Sequence, residues 1–248
     1  MDLQKIVESE GMEGVERHLM NLGSEFRFKC GRCGKCCRNQ REVLFTARDL
    51  HHIAHKLEIT TQTVINQYTR VYIGQSSRVP LVNMIPNGHK GACPLLDEAG
   101  HCTVHDCKPV VCALYPLGRV LLNAVPGEPL TSDADLRVRY ILQEHTCGSA
   151  KKVHTVRSWL EKSGIMDEDK FFLDWNRITL LVGETARGLG AGRNREALRK
   201  LWRQAYRLLY IDYDTAEAFS PQFERNSQKL KAFCIEMQKD IQEELSDI

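Results

Sequence analysis

Apolar and polar positions along the chain fall into two textures. Leu3, Ile6, Val7, Val15, Leu19 and Met20 recur at roughly helical spacing across residues 3–22, a pattern weakened by Gly11 and Gly14. A short extended run, Glu42-Val43-Leu44-Phe45, then meets Thr46-Ala47-Arg48-Asp49. A threonine followed three residues later by an acid is a capping box, so a helix is predicted from there to about Leu57. Thr60 or Thr61 caps a second helix running towards Tyr72. Across 73–130 the periodicity fades and Gly and Pro become frequent, with strands predicted at 79–85 and 119–123. A further strand is expected at 138–145, where β-branched and aromatic residues gather.

From about Val153 the pattern turns helical. Thr155 caps a helix through Leu160, and a long helix is predicted over 167–187 with Phe171, Phe172, Trp175, Ile178, Thr179 and Val182 on one face. Asn194 caps another, whose buried stripe is Leu198, Leu201, Trp202, Ala205, Leu208 and Leu209. Pro221 suits the first turn of a last helix reaching Leu245. The fold class that follows is α+β. A small, irregular, cysteine-rich metal-binding domain with short strands, residues 1–150, precedes a helical region, 151–248, packing on it. Short strands and long loops bury little apolar surface, so the first part needs a staple.

Composition changes this picture at one point only. The 248 residues are 42% hydrophobic and 27% charged, and a net charge of +2 selects no class of partner. No apolar run approaches the roughly 18 residues of a membrane span, and the opening Met1-Asp2-Leu3-Gln4-Lys5 has no basic stretch leading into an apolar core. Ten cysteines are the outlier: nine lie between Cys30 and Cys147, and Cys234 stands alone in a helical stretch. Without an export signal they are expected in a reducing, cytoplasmic compartment, where clustered thiols read as metal binding or redox chemistry rather than disulfides.

Cys30-Gly31-Arg32-Cys33-Gly34-Lys35-Cys36-Cys37 carries the most chemistry. Two-residue gaps let sulfurs converge on one centre, and glycines free the backbone to wrap it. Consecutive side chains of an extended segment point to opposite faces. On that basis Cys36 and Cys37 serve different irons of a cluster or different centres, or one is not a ligand. A lone four-ligand zinc site has no need of the pair. Further thiols follow at Cys93, Cys102, Cys107, Cys112 and Cys147. Their spacing matches neither a zinc ribbon, nor the Cys-x3-Cys-x2-Cys of radical enzymes, nor a two-cluster ferredoxin. Iron–sulfur, of the [4Fe–4S] kind, is the favoured reading on the vicinal pair and the surplus of thiols, with zinc as the alternative.

Phe28-Lys29-Cys30 to Cys37, Cys93-Pro94-Leu95-Leu96-Asp97, Cys102-Thr103-Val104-His105, Lys108-Pro109 with Cys112, Tyr115-Pro116 and Cys147-Gly148 together resemble the YkgJ-type CxxCxxCC cysteine-cluster proteins. That family is described as zinc- or iron-chelating; some members are called Fe–S oxidoreductases, and it includes the flagellin lysine N-methylase. The resemblance covers roughly residues 26–150. It implies Cys30, Cys33, Cys36, Cys37, Cys93, Cys102, Cys112 and Cys147 as metal ligands, more thiols than one four-ligand site uses. The chain departs from the family at His105 and Lys108, where an aromatic and an Arg are usual, and at Ala113, where an Arg commonly follows the cysteine. Cys107 and Cys234 fall outside the pattern, Cys234 as a core residue.

Other features have plainer readings. His51 and His55 stand at i, i+4, a spacing that can chelate, yet a helix face is the simpler account. His101 and His105 flank Cys102 as candidates for a mixed Cys/His site. Gly188-Leu189-Gly190-Ala191-Gly192 follows a helix rather than a strand, which favours a helix–helix turn over a nucleotide loop. Arg195, Arg199, Arg203 and Arg207 form a basic stripe, a solvated face or a docking surface for another protein; neither nucleic acid nor membrane is an expected partner. Three functions follow: a metal-cluster protein in redox or protein maturation and modification, an S-adenosylmethionine-dependent protein-lysine methylase, and a zinc-stapled, non-catalytic interaction protein.

Overall fold

The computed structural model describes residues 14–31, 34–38, 42–87, 91–125, 128–143, 147–166, 169–191 and 194–246. The architecture is mixed α+β, with short strands in small sheets and the long helices in the C-terminal half. Two compact units interleave along the chain. One takes residues 1–43, 86–128 and 135–169; the other takes 44–85, 129–134 and 170–248.

In the first unit, strand β1 (Glu25–Lys29) alternates exposed and buried positions, sending Phe26 and Phe28 inward. It pairs antiparallel with β7 (Ser149–Thr155), with an irregularity between Arg27 and Lys29. Strands β5 (Leu117–Asn123) and β6 (Leu136–Leu142) form a second antiparallel pair, where strands were expected. A short helix at Val110–Leu114 and a helix at Val156–Lys162 complete the unit. The second of these begins on a capping box in which Thr155 accepts from Ser158 N and Ser158 reaches back to the cap. It ends on a Schellman turn: Ile165 N donates to Leu160 O at 2.9 Å and Gly164 N to Glu161 O at 3.0 Å, with Gly164 at φ +69°.

The core of this unit is aromatic. Trp159 meets Phe26 and Phe28 edge-on at centroid separations of 5.7 and 5.6 Å, and Phe28 meets Tyr115 in the same manner. The buried indole Nε1 donates to Leu114 O at 3.0 Å, so the polar edge of Trp159 is satisfied. Cys147, Tyr140, Leu114, Leu117 and Leu160 pack into the same cluster.

In the second unit the sheet order is β2 (Leu44–Phe45), β4 (Pro80–Met84), β3 (Thr69–Ile73), all antiparallel neighbours. Helix α1 (Ala47–Lys56) starts where the capping box predicts, Thr46 accepting from Asp49 N at 3.3 Å and Asp49 Oδ2 accepting from Thr46 N at 2.8 Å. Helix α2 (Thr61–Tyr68) is capped by Thr60 but stops four residues short of the expected Tyr72. Thr69, Val71, Tyr72 and Ile73 pair with β4 instead, because β-branched and aromatic side chains suit a pleated strand. The long helix α3 (Lys170–Ala191) carries the expected apolar face and extends through Gly188 and Gly190, which lie within the helix and not in a turn, while Gly192 lies outside the described residues. Asn194 caps α4 (Arg195–Tyr206) by accepting from Ala197 N at 3.0 Å, a π-helical turn covers Arg207–Ile211, and α5 (Phe219–Ser246) takes Pro221 in its first turn. Most of the early helical pattern at 3–22 lies outside the described residues, which show one helical turn at 14–17. Among the described residues no helix is long and apolar enough to cross a membrane.

Candidate metal centre

The cysteines of the first unit are positioned by tight turns and short backbone ladders. Gly34, at φ +68°, turns the chain into a 3-10 turn at Lys35–Cys37. A Cβ at Gly34 would lie 3.2 Å from Gly100 O, so the first cysteine turn sits directly against the turn that precedes Cys102. Cys93 N donates to Cys37 O at 2.8 Å, and Arg38 bridges Ala92, which locks the second cysteine segment onto the first. The chain then folds on itself around Asp97–Gly100. Leu96 bridges Cys102, Thr103 N donates to Leu95 O at 2.9 Å, and Asp97 Oδ1 accepts from His101 N at 2.7 Å. Cys112 lies exposed in the short helix Val110–Leu114, and buried Cys147 donates its thiol to the Tyr115 hydroxyl at 3.5 Å. Gly148 follows at φ +78° and lets β7 close against Phe28.

The vicinal pair differs from the sequence expectation. Cys36 and Cys37 stand on a 3-10 turn rather than an extended segment, and their sulfurs hydrogen-bond at 3.9 Å. Divergence of consecutive side chains holds only for extended backbone, so the argument that the pair must serve separate metal atoms does not apply. The surplus of thiols is unaffected.

Ionisation ties the segments together. The Cys36 thiol is held far above the ordinary thiol range, chiefly by its hydrogen bond to Cys37, then by burial; its contact with Cys147 works in the opposite sense. Cys37 is pulled down by the same bond from Cys36, against burial and the charges of Cys93, Cys112 and Cys102. The two sulfurs therefore share a proton and titrate as a pair. Burial, first of all, pushes Cys93 up, and Cys102 and Cys36 add to it. Burial likewise raises Cys102, with Asp106 and Cys36 adding and the Lys108 ammonium favouring the thiolate. Five thiols, Cys36, Cys37, Cys93, Cys102 and Cys112, are thus close enough for their negative charges to oppose one another, while Cys147 favours the Cys36 thiolate. A cation among them would reverse that repulsion and hold all of them as thiolates.

Cys36, Cys37, Cys93, Cys102 and Cys112 feel one another's charge, and Cys147 reaches Cys36 through a hydrogen bond. Cys30 ends β1, beside the start of β7 where Cys147 and Gly148 lie, and is exposed. Cys33 lies outside the described residues. The donors fit zinc or iron in kind, being soft sulfurs. Among the described residues, however, no three His, Cys, Asp or Glu side chains already stand as a ligand set. The His51–His55 pair is engaged with backbone carbonyls. His51 Nε2 lies 3.1 Å from both Asp214 O and Glu217 O, and His55 Nδ1 lies 2.8 Å from Thr215 O, so this pair tethers the loop before α5. His101 is largely exposed and sits beside Asp97 at 3.7 Å. Cys234 is fully buried and its thiol is pushed up to about 11 by burial, as a core residue requires. Sequence reasoning missed the Tyr115 hydroxyl as a thiol partner; the Tyr115-Pro116 dipeptide was its only signal.

Residues 29–148 match the model of the CxxCxxCC family, described as a "putative zinc- or iron-chelating domain". No curated protein and no solved structure matches the chain.

Proposed function

We propose, on the match of residues 29–148 to the CxxCxxCC family, that the cysteine turns hold iron as an iron–sulfur cluster and that the protein acts in redox chemistry or in maturation or modification of another protein. The ligands are drawn from Cys30, Cys33, Cys36, Cys37, Cys93, Cys102, Cys112 and Cys147. The observation that supports a metal here is that the charges of Cys36, Cys37, Cys93, Cys102 and Cys112 oppose one another, with Cys147 hydrogen-bonded to Cys36. A zinc ion and a [4Fe–4S] cluster each take four thiolates, so the metal content decides between them. When bound, a cluster of this kind supplies one-electron transfer. The chain's own residues set its surroundings: Lys108 favours the Cys102 thiolate, and the Tyr115 hydroxyl, 3.5 Å from the Cys147 sulfur, can donate to it once Cys147 is a thiolate.

A zinc-stapled, non-catalytic protein is the second reading, and one observation favours it. The first unit is built on two two-stranded sheets, which are marginal alone, so a metal there is a folding element whatever else it does. In that case the exposed Arg195, Arg199, Arg203 and Arg207 are the docking surface for a partner protein. The methylase alternative gains nothing from the glycine run, which is helical through Ala191.

Iron, zinc and acid-labile sulfide per chain, measured after strictly anaerobic purification, separate the readings. About four irons and four sulfides establish the cubane cluster. Zinc without sulfide overturns the cluster and leaves the staple.

A further inference from the structure

The β1–β7 sheet of the first unit has one covered and one open face. Phe26, Phe28 and His154 are buried on the covered side, while Glu25, Arg27 and Lys29 alternate outward from β1 and are exposed. Val153 pairs with Arg27 and Ser149 with Lys29, so Ala150, Lys151 and Lys152 stand across from the single Phe28. An irregularity of this kind bends the longer strand, and all three residues are exposed, as is Val153. Arg27 and Lys29, two positions apart on one face, have Cα atoms about 7 Å apart. Four cations thus gather on a sheet whose one acid, Glu25, stands at the end away from the cysteines. The whole chain sets 34 Lys and Arg against 32 Asp and Glu, so the excess is local. Among the described residues no carboxylate pairs with any of the four.

This face leads directly to the candidate metal centre. β1 ends at Lys29 and continues into exposed Cys30, and β7 begins just after Cys147 and Gly148. Surfaces that hold single-stranded nucleic acid interleave cations with aromatic rings. Here the rings of β1, Phe26 and Phe28, are committed to the core against Trp159. Val153, 44% exposed and opposite Arg27, instead sets one apolar spot among the charges. An apolar centre with a charged rim is the make-up of a small protein interface.

We propose that this face docks a carboxylate-rich surface of the protein on which the cysteine centre acts. The inference rests on the reading that the centre acts on another protein, and it concerns a different surface from the arginine stripe of the second unit. Opposite charge steers such a partner onto the sheet, and a partner seated there has its edge beside Cys30. Two short strands offer less than the roughly 1,200 Å² of a stable interface, which suits a transient encounter. Exposed ion pairs are weak and screened by salt, so the contact is salt-sensitive.

A dye-labelled oligoglutamate peptide is the probe, its fluorescence anisotropy read against the full chain, reduced and metal-loaded as isolated. Raising sodium chloride from about 20 to 200 mM should weaken binding about tenfold. Lys29→Gln combined with Lys151→Gln should raise Kd about threefold or more. Arg27→Gln with Lys152→Gln serves as the second pair if the first fails to fold. Arg199→Gln with Arg203→Gln, in the other unit, is the control and should leave Kd within about twofold. Carbodiimide coupling followed by mass spectrometry should attach the peptide at Lys29, Lys151 and Lys152. Absence of binding at low salt, an equal loss in the arginine control, or coupling spread over lysines of both units overturns the proposal. Tighter binding of an oligothymidylate, or of phosphatidylserine vesicles, overturns it too and makes the face a site for nucleic acid or membrane. These readouts do not depend on which metal is bound, so zinc without sulfide removes the cluster and not the docking face.

Discussion

Replacing Gly148 by alanine isolates how tightly the end of the cysteine-bearing unit is closed. Gly148 sits at φ +78°, and a Cβ there would run into Phe28 Cε2 and lie 2.9 Å from Phe28 Cζ and 3.0 Å from Lys29 O. Gly164 offers an internal control in the same unit. It has nearly the same backbone, φ +69°, and nothing within 4 Å of its would-be Cβ. Both substitutions incur the left-handed penalty of about 1–2 kcal/mol, and both gain the same small entropy of the unfolded chain. Only Gly148→Ala adds overpacking, worth about 1–3 kcal/mol. The predicted totals are therefore about 1–2 kcal/mol for Gly164→Ala and about 2–5 kcal/mol for Gly148→Ala, and the unfolded-state gain cancels in the difference.

Urea denaturation followed by circular dichroism measures both, and tryptophan fluorescence adds a local report because Trp159 packs on Phe28 at 5.6 Å. Phe28→Leu sharpens the test by removing the ring atoms that the new methyl group would strike. In that background the excess cost of Gly148→Ala should shrink, leaving the part due to Lys29 O. Equal costs for the two glycine substitutions, or an excess unchanged by Phe28→Leu, would refute the steric reasoning.

Gly183→Ala in α3 should destabilise, although alanine is favoured in a helix by about 1 kcal/mol. Its Cβ would lie 2.5 Å from Ser77 O, a backbone atom of the β3–β4 hairpin; thermal melts showing a gain instead would mean the hairpin yields freely. Asp169→Ala removes the partner of Arg119 at 3.0 Å, both side chains being less than a tenth exposed. Removing this counter-charge from a buried guanidinium should cost up to about 3–5 kcal/mol in urea unfolding, and a loss below about 1 kcal/mol would show the pair to be dispensable. His154 is held below its ordinary value, first by burial and then by Lys162 and Lys152. Its neutral ring is thus favoured in the fold, and its contribution is full above about pH 6.5 and declines as pH falls below it. His154→Gln should flatten that part of the stability–pH curve, and a curve of unchanged slope between about pH 7 and 5 would contradict the assignment.

The parts of this fold legible in the sequence are those with local causes. Thr46 with Asp49, Thr155 and Asn194 each start a helix where a side-chain oxygen meets a backbone N–H, and the residues involved are close in the chain. Strands β5 and β6 announce themselves by composition. The strands that were not read depend on distant partners. Ser-Ala-Lys-Lys-Val-His-Thr becomes β7 because β1 lies beside it, not through any apolar alternation of its own. β3 continues a helical pattern in sequence and leaves it because β4 offers a ladder. Within the candidate site, the motif names the thiols, and their spacing does not tell how a vicinal pair is oriented. That depends on the conformation at Gly34 and on the turn it starts.

The glycines and the backbone ladders therefore bear as much on metal binding as the cysteines do. Gly34 against Gly100, and Cys93 N on Cys37 O, bring the first two cysteine turns together before any ion is considered. The Cys36–Cys37 pair retains a proton, chiefly through the hydrogen bond between its sulfurs and then through burial. Binding must release that proton, which makes metal affinity steeply dependent on pH whatever the metal. A tetrahedral zinc ion and a [4Fe–4S] cluster each take four of these sulfurs, so either leaves thiols over in its field.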